Sequence, residues 1–258
     1  MPRVPAIDLS RSRDLGDIFS DTFSLYHRYF GLFTGIAFTV VIPLQVVALA
    51  LGEPGFSGAA AFVLIVPWFV AVPLITAGHV QAVQTLGERR DVSVGDSLRA
   101  AIRRLPAVVG AVVLSTLVTL LGLVCLVLPG IFLAIRLYFS AQVAMAEGLG
   151  PGEALSRSSE LTEGHFWRLV GIGLLLSVVA GVMGTIAGLP LRIAGLAADI
   201  SVLTAIGATI DAGISLSFTA LSGTILYFDL RARFAGAPEP KVQYPQFPPN
   251  DLALPERP

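Results

Sequence analysis

Residues 107–135 read AVVGAVVLSTLVTLLGLVCLVLPGIFLAI, and no charged side chain interrupts the chain between Arg104 and Arg136. A hydrocarbon layer about 30 Å thick is crossed once by about 20 apolar residues at a helical rise of 1.5 Å each. The stretch is too long for one crossing, and Pro129-Gly130 sets a turn signal inside it. It reads as a helical hairpin, with one span over 107–128 and a shorter one over 131–146 that contains Arg136.

Four further apolar runs, at 30–51, 59–80, 169–189 and 205–228, are of spanning length. The expected fold is therefore all-α and membrane-embedded, with six transmembrane helices. Composition agrees: 54% of the 258 residues are hydrophobic and only 14% charged, at a mean hydropathy of +0.78, whereas ordinary soluble domains carry about 25% charged residues. Pro43, Pro67 and Pro73 fall inside spans, where neighbouring helices can satisfy the freed carbonyls. The first 29 residues hold arginines and aspartates and no signal-peptide core. Cys125 is the one cysteine, which excludes a disulfide framework and a thiol cluster for metal.

Basic residues give an orientation. Arg and Lys number 4 before the first span, 5 between the second and third, 2 between the fourth and fifth and 4 after the sixth, against 0, 0 and 1 on the alternate side. The positive-inside rule then places both termini in the cytoplasm. Sixteen arginines against one lysine, with heavy use of Ala, Gly, Leu and Val, suggest a high-G+C bacterial source and hence a bacterial plasma membrane.

A short helix-start signal recurs three times ahead of alternate spans: Asp14 to Asp17, Ser93 to Asp96 and Gly150 to Glu153. Asp14 and Ser93 are good N-caps with an acid three residues on, and Pro151 suits a first helical position. Each start leads into a stretch with an apolar stripe and arginines on the other face. The chain thus reads as three repeats, each a cytoplasmic amphipathic helix followed by a helical hairpin, the helices lying on the interface or, alternatively, serving as connectors folded back on the bundle. Tyr26, Tyr29, Phe166 and Trp167 are placed at the headgroup layer in this reading. Gly31/Gly35 and Gly184/Gly188 have close-packing spacing and are read as internal contacts. Residues 235–258, with seven prolines in the last 21 positions, read as a disordered cytoplasmic tail.

Two charges are expected at membrane depth, Arg136 and Asp211. Counted from the supposed outer turns each lies six residues in, about 9 Å, so they are candidates for an intramembrane ion pair. Such residues serve either as a substrate or proton site near the outer leaflet or structurally, as an ion pair that fixes helix register or by snorkelling toward the outer headgroups. The arginines Arg99, Arg103, Arg104 and Arg157 on the amphipathic helices are candidates for partner or headgroup contact. No catalytic residue, metal ligand or cofactor site is expected: His27, His79 and His165 are scattered, and neither a metal-ligand spacing nor a nucleophile elbow nor a phosphate-cradling loop is present. A net charge of −1 gives nothing to attract nucleic acid.

The residues Leu128-Pro129-Gly130-Ile131-Phe132 through Arg136, then Glu147 through Ser158, then Gly164-His165-Phe166-Trp167-Arg168, and the closing Leu226 through Arg233, resemble the membrane domain of the glycerophosphoryl diester phosphodiesterase family. The likeness is specific over 128–168 and 226–233. It implies a six-helix membrane module. In fused relatives that domain precedes a hydrolase whose signature begins His-Arg-Gly; here only His27-Arg28-Tyr29 occurs, and the resemblance implies no hydrolysis. The expected role is a non-enzymatic anchoring or regulatory module linked to envelope or lipid metabolism, with membrane lipid and a membrane or cytoplasmic protein as partners. The alternative is a small permease or lipid-handling transporter with a site near the outer leaflet.

Overall fold

The computed structural model describes residue 9 and residues 12–51 and 68–236. Among these residues the chain forms nine helices: α1 (Leu15–Arg28), α2 (Phe30–Leu51), α3 (Trp68–Gly87), α4 (Val94–Cys125), α5 (Val127–Arg136), α6 (Ser140–Ala146), α7 (Pro151–Thr162), α8 (Phe166–Ala198) and α9 (Ser201–Gly236). Six segments are long and apolar enough to cross a membrane: α2, α3, α4, α5 with α6, α8 and α9. The first part of the second expected span, 59–67, and the tail beyond Gly236 lie outside the described residues.

Local chemistry sets the helix starts. The Asp17 carboxylate accepts from the Asp14 N–H at 3.5 Å, Ser93 Oγ accepts from the Asp96 N–H at 3.1 Å, and Glu153 accepts from the Gly150 N–H at 3.1 Å with Pro151 opening α7. Each bond satisfies a donor at a helix start that lacks an intrahelical partner. α4 then runs without a break from its basic first turns into the apolar stretch, passing Pro106.

Two turns fall elsewhere than expected. The α4–α5 reversal is at Leu126, whose extended backbone (φ −162°, ψ 140°) separates the helices, while Pro129 and Gly130 sit in the first turn of α5. Proline is tolerated there because its missing N–H would have no helical acceptor. Gly130 serves close packing instead, since a Cβ would overlap Leu123. Pro190, just beyond the fifth expected span of 169–189, lies inside α8, which continues to Ala198 and reverses at Asp199 in the left-handed region (φ 55°). The fourth span is broken over 137–139, so that α5 ends at Arg136 and α6 resumes at Ser140.

The core gathers Ile18, Leu25 and Tyr26 of α1, Phe33 and Ile36 of α2, Val80 and Val83 of α3 and Phe218 to Leu230 of α9. Tyr26, expected at a headgroup layer, is packed inward: it is 3% exposed, with its ring 5.4 Å from that of Phe218. Burying its aromatic body against α9 outweighs the attraction of the interface for its hydroxyl.

Candidate functional site

Among the described residues, a dense polar arrangement lies where the approach to α1, the start of α8 and the last turns of α9 meet. Asp229 of α9 has no exposed surface. Its carboxylate accepts from the Arg13 backbone N–H at 2.6 Å, from Arg168 Nη1 of α8 at 2.7 Å and from Arg233 Nε one helical turn on at 3.1 Å. The Arg13 carbonyl in turn accepts from Arg168 Nη2 at 2.8 Å and from Arg233 Nη2. Arg13 Nε donates to Asp21 of α1 at 2.8 Å. A buried carboxylate persists only if its lone pairs are filled by donors, and two guanidinium groups and a backbone N–H do so here. The outcome is a clasp that fixes the N-terminal approach to α1 onto the α8–α9 pair.

A second cluster adjoins it. Glu147, after α6, accepts from the Tyr227 hydroxyl at 2.8 Å and from Arg157 Nε of α7 at 3.2 Å, while Arg157 Nη1 donates to Glu160 at 3.1 Å. The Arg157 guanidinium also lies 4.5 Å from the centre of the Phe234 ring. Partial desolvation opposes its charge, but the Glu160 and Glu147 carboxylates outweigh this and raise its pKa above the ordinary arginine value.

At membrane depth His79 is fully buried between Phe33, whose ring is stacked at 5.3 Å, and α9. Its Nδ1 lies 2.8 Å from the Ile75 carbonyl, which can only accept, so Nδ1 carries the proton and Nε2 accepts from Ser217 Oγ at 3.2 Å. Gln142 Oε1 is buried without a hydrogen-bond partner among the described residues.

The structure separates Arg136 from Asp211. Arg136 faces Glu163 at 3.7 Å and stacks over Phe132, 5.1 Å from its ring centre. Its carbonyl, freed where α5 ends, accepts from Ser158 Oγ of α7 at 2.8 Å. Asp211 pairs instead with Arg192 of α8 at 3.1 Å. The expected pairing fails for a geometric reason: the reversal at Leu126 and the break at 137–139 move Arg136 to a helix end against α7, whereas Asp211 faces α8 across Gly184 and Gly188. Arg192 falls outside a fifth span that ends at Leu189, but α8 runs on to Ala198 and brings it to Asp211.

Of the four candidate contact arginines, three stand together on the first turns of α4. Arg103 and Arg104 are exposed, and Arg99 is 68% exposed beside Asp96. Arg104 also lies against the backbone at Gly148, a glycine at φ +74° where any side chain would meet the guanidinium. Arg157 is apart from them, held in the internal cluster with Glu147. Sequence reasoning passed over Asp229, Arg168 and Glu147. The available signal was that Asp229 follows an unbroken apolar helix and precedes Arg233 by four residues, the spacing of a helical ion pair.

No curated protein and no solved structure matches this chain. A family model described as "Domain of unknown function (DUF7847)" matches residues 92–234, from just before the Ser93 cap past Glu147 and Asp229, with Arg13 and Asp21 of the Asp229 cluster outside it. That match spans more than half of the chain, and the chain belongs to this family.

Proposed function

We propose that the protein is a non-enzymatic membrane module of a bacterial plasma membrane that anchors or regulates a protein partner in envelope or lipid metabolism. Both termini face the cytoplasm in this reading, and the six spans are three repeats, each an amphipathic helix and a hairpin. The observation that carries it is the division of labour among the arginines at one end of the bundle. Arg13, Arg157, Arg168 and Arg233 are engaged with carboxylates of the chain's own helices, the buried Asp229, the half-buried Glu147 and the exposed Asp21 and Glu160. Arg103 and Arg104 are exposed and, among the described residues, reach no carboxylate. Together with Arg99 they form a basic patch on α4 that suits an acidic protein surface beside the membrane. The likeness to the glycerophosphoryl diester phosphodiesterase membrane domain supports the link to lipid metabolism, without hydrolysis.

The test is affinity purification from native membranes, followed by mass spectrometry of what remains bound, for the natural protein and for the Arg103→Glu, Arg104→Glu double variant. A stoichiometric protein partner that is lost on charge reversal is the expected outcome. A partner retained unchanged overturns the reading. Specific recovery of a small molecule with no protein moves the assignment to a permease.

A further inference from the structure

An apolar cleft of about 290 Å³ opens between the α5–α6 break and α8, walled by Ile135, Tyr138 and Phe139 on one side and by Leu169, Gly173 and Leu174 on the other. Tyr138 is 52% and Leu174 65% exposed, so the cleft faces outward from the side of the bundle. One helical turn before Leu169, at the start of α8, the character changes. Phe166 stacks on Phe132 at 5.5 Å, Trp167 stands exposed, and the Arg136 guanidinium covers the other partner of the stack, Phe132. The Arg136 side chain keeps 26% of its surface exposed, and its acidic neighbour Glu163, 3.7 Å away, is 76% exposed. An ion pair that wet contributes little and leaves the cation available to another anion.

An apolar slot on the flank of the bundle, one helical turn from an aromatic stack that a cation covers, has the two-part chemistry of a phospholipid. We propose that this cleft binds an anionic phospholipid, with an acyl chain along Leu169, Gly173 and Leu174 and the phosphate on Arg136. Trp167 and Phe166 then lie at headgroup level, the depth that aromatic side chains prefer, and the arginine selects for negative charge. The proposal requires only that the chain sits in a membrane. It is independent of the partner-binding patch on α4.

Gly173 gives a clean way to close the site. No atom outside its own stretch of helix lies within 4 Å of a Cβ placed there, and Gly173 lines the slot, so a leucine starts without a clash at Cβ and takes up slot volume. The full chain is reconstituted in vesicles of phosphatidylcholine doped with phosphatidylglycerol and extracted in mild detergent, and retained phospholipid is counted by mass spectrometry. The natural protein is expected to keep phosphatidylglycerol in preference to phosphatidylcholine. Arg136→Gln should weaken that preference about fivefold, the worth of one basic residue at an anionic surface, and Arg136→Lys should restore most of it. Gly173→Leu should remove retention of both lipids while leaving the thermal midpoint in detergent in place, and it decides the matter alone if Arg136→Gln fails to fold. No preference in the natural protein, retention unchanged in Gly173→Leu, or a second copy of the chain cross-linked across the cleft in place of lipid overturns the proposal.

Discussion

Two hairpins of this bundle solve the same problem in opposite ways. In α8–α9 the helices approach until backbone meets backbone: a Cβ at Gly188 would overlap the Gly207 carbonyl, and one at Gly184 would sit 2.5 Å from the Asp211 carbonyl. Ion pairs close this hairpin at both ends, Arg168 with Asp229 at 2.7 Å and Arg192 with Asp211 at 3.1 Å. In α4–α5 no ion pair joins the two helices among the described residues. Close approach is confined to the tip, where Gly122 and Gly130 meet, and Leu121, Val124 and Leu128 are 67%, 85% and 79% exposed. Lipid tails are as apolar as leucine, so such faces gain little by leaving them, and helices associate in a membrane through small residues and polar contacts. The first hairpin is thus held by its own side chains and the second by the apolar phase around it.

The largest expected effect comes from the clasp at the base of α8–α9. Asp229→Ala leaves the Arg13 N–H without its acceptor and the Arg168 and Arg233 guanidinium groups with only the Arg13 carbonyl in place of a carboxylate, and breaking one partner of a buried charge network costs about 3–5 kcal/mol. Thermal unfolding in detergent should fall steeply, and the N-terminal segment should become open to protease at Arg13. If the midpoint holds, the clasp is not what fixes this hairpin. The glycine contact comes next. Gly188→Leu forces carbon against the Gly207 carbonyl, which cannot rotate away as a side-chain end could, and overpacking of this kind costs about 1–3 kcal/mol. Cysteine cross-linking between α8 and α9 should report the widened spacing.

The six helices were legible because layer thickness dictates span length and the apolar runs have that length. The helix ends were not. Proline carries a turn signal in either direction: Pro129 is accommodated in a first helical turn and Pro190 inside a continuous helix, and the sequence does not distinguish these from true reversals. Those end errors set the site errors. Ending the fifth span at Leu189 removed Arg192 from the reckoning and left Asp211 to be matched with Arg136. Ending the sixth at Phe228 turned Asp229 into the first solvated residue, although it is the most deeply buried carboxylate of the structure. The close packing of Gly184 and Gly188 inside one chain was readable from spacing alone. The Gly31/Gly35 pair divides: Gly35 packs against Val94, while Gly31 faces open space.

The smallest expected effect is the most telling for the comparison. Leu121 is about as apolar as any residue of α8–α9, yet 67% of its surface is exposed and no carboxylate or glycine contact depends on it. Where lipid replaces the lost methyl groups, no cavity opens, and the cavity and transfer costs that make a core leucine worth 2–5 kcal/mol do not arise. Leu121→Ala should therefore shift unfolding in lipid nanodiscs by no more than about 0.5 kcal/mol, the range of surface substitutions. A loss comparable with that of Gly188→Leu would mean that α4–α5 is packed against something in the membrane other than lipid. The exposed leucines of this hairpin would then be a protein interface, and its looseness a property of the isolated chain alone.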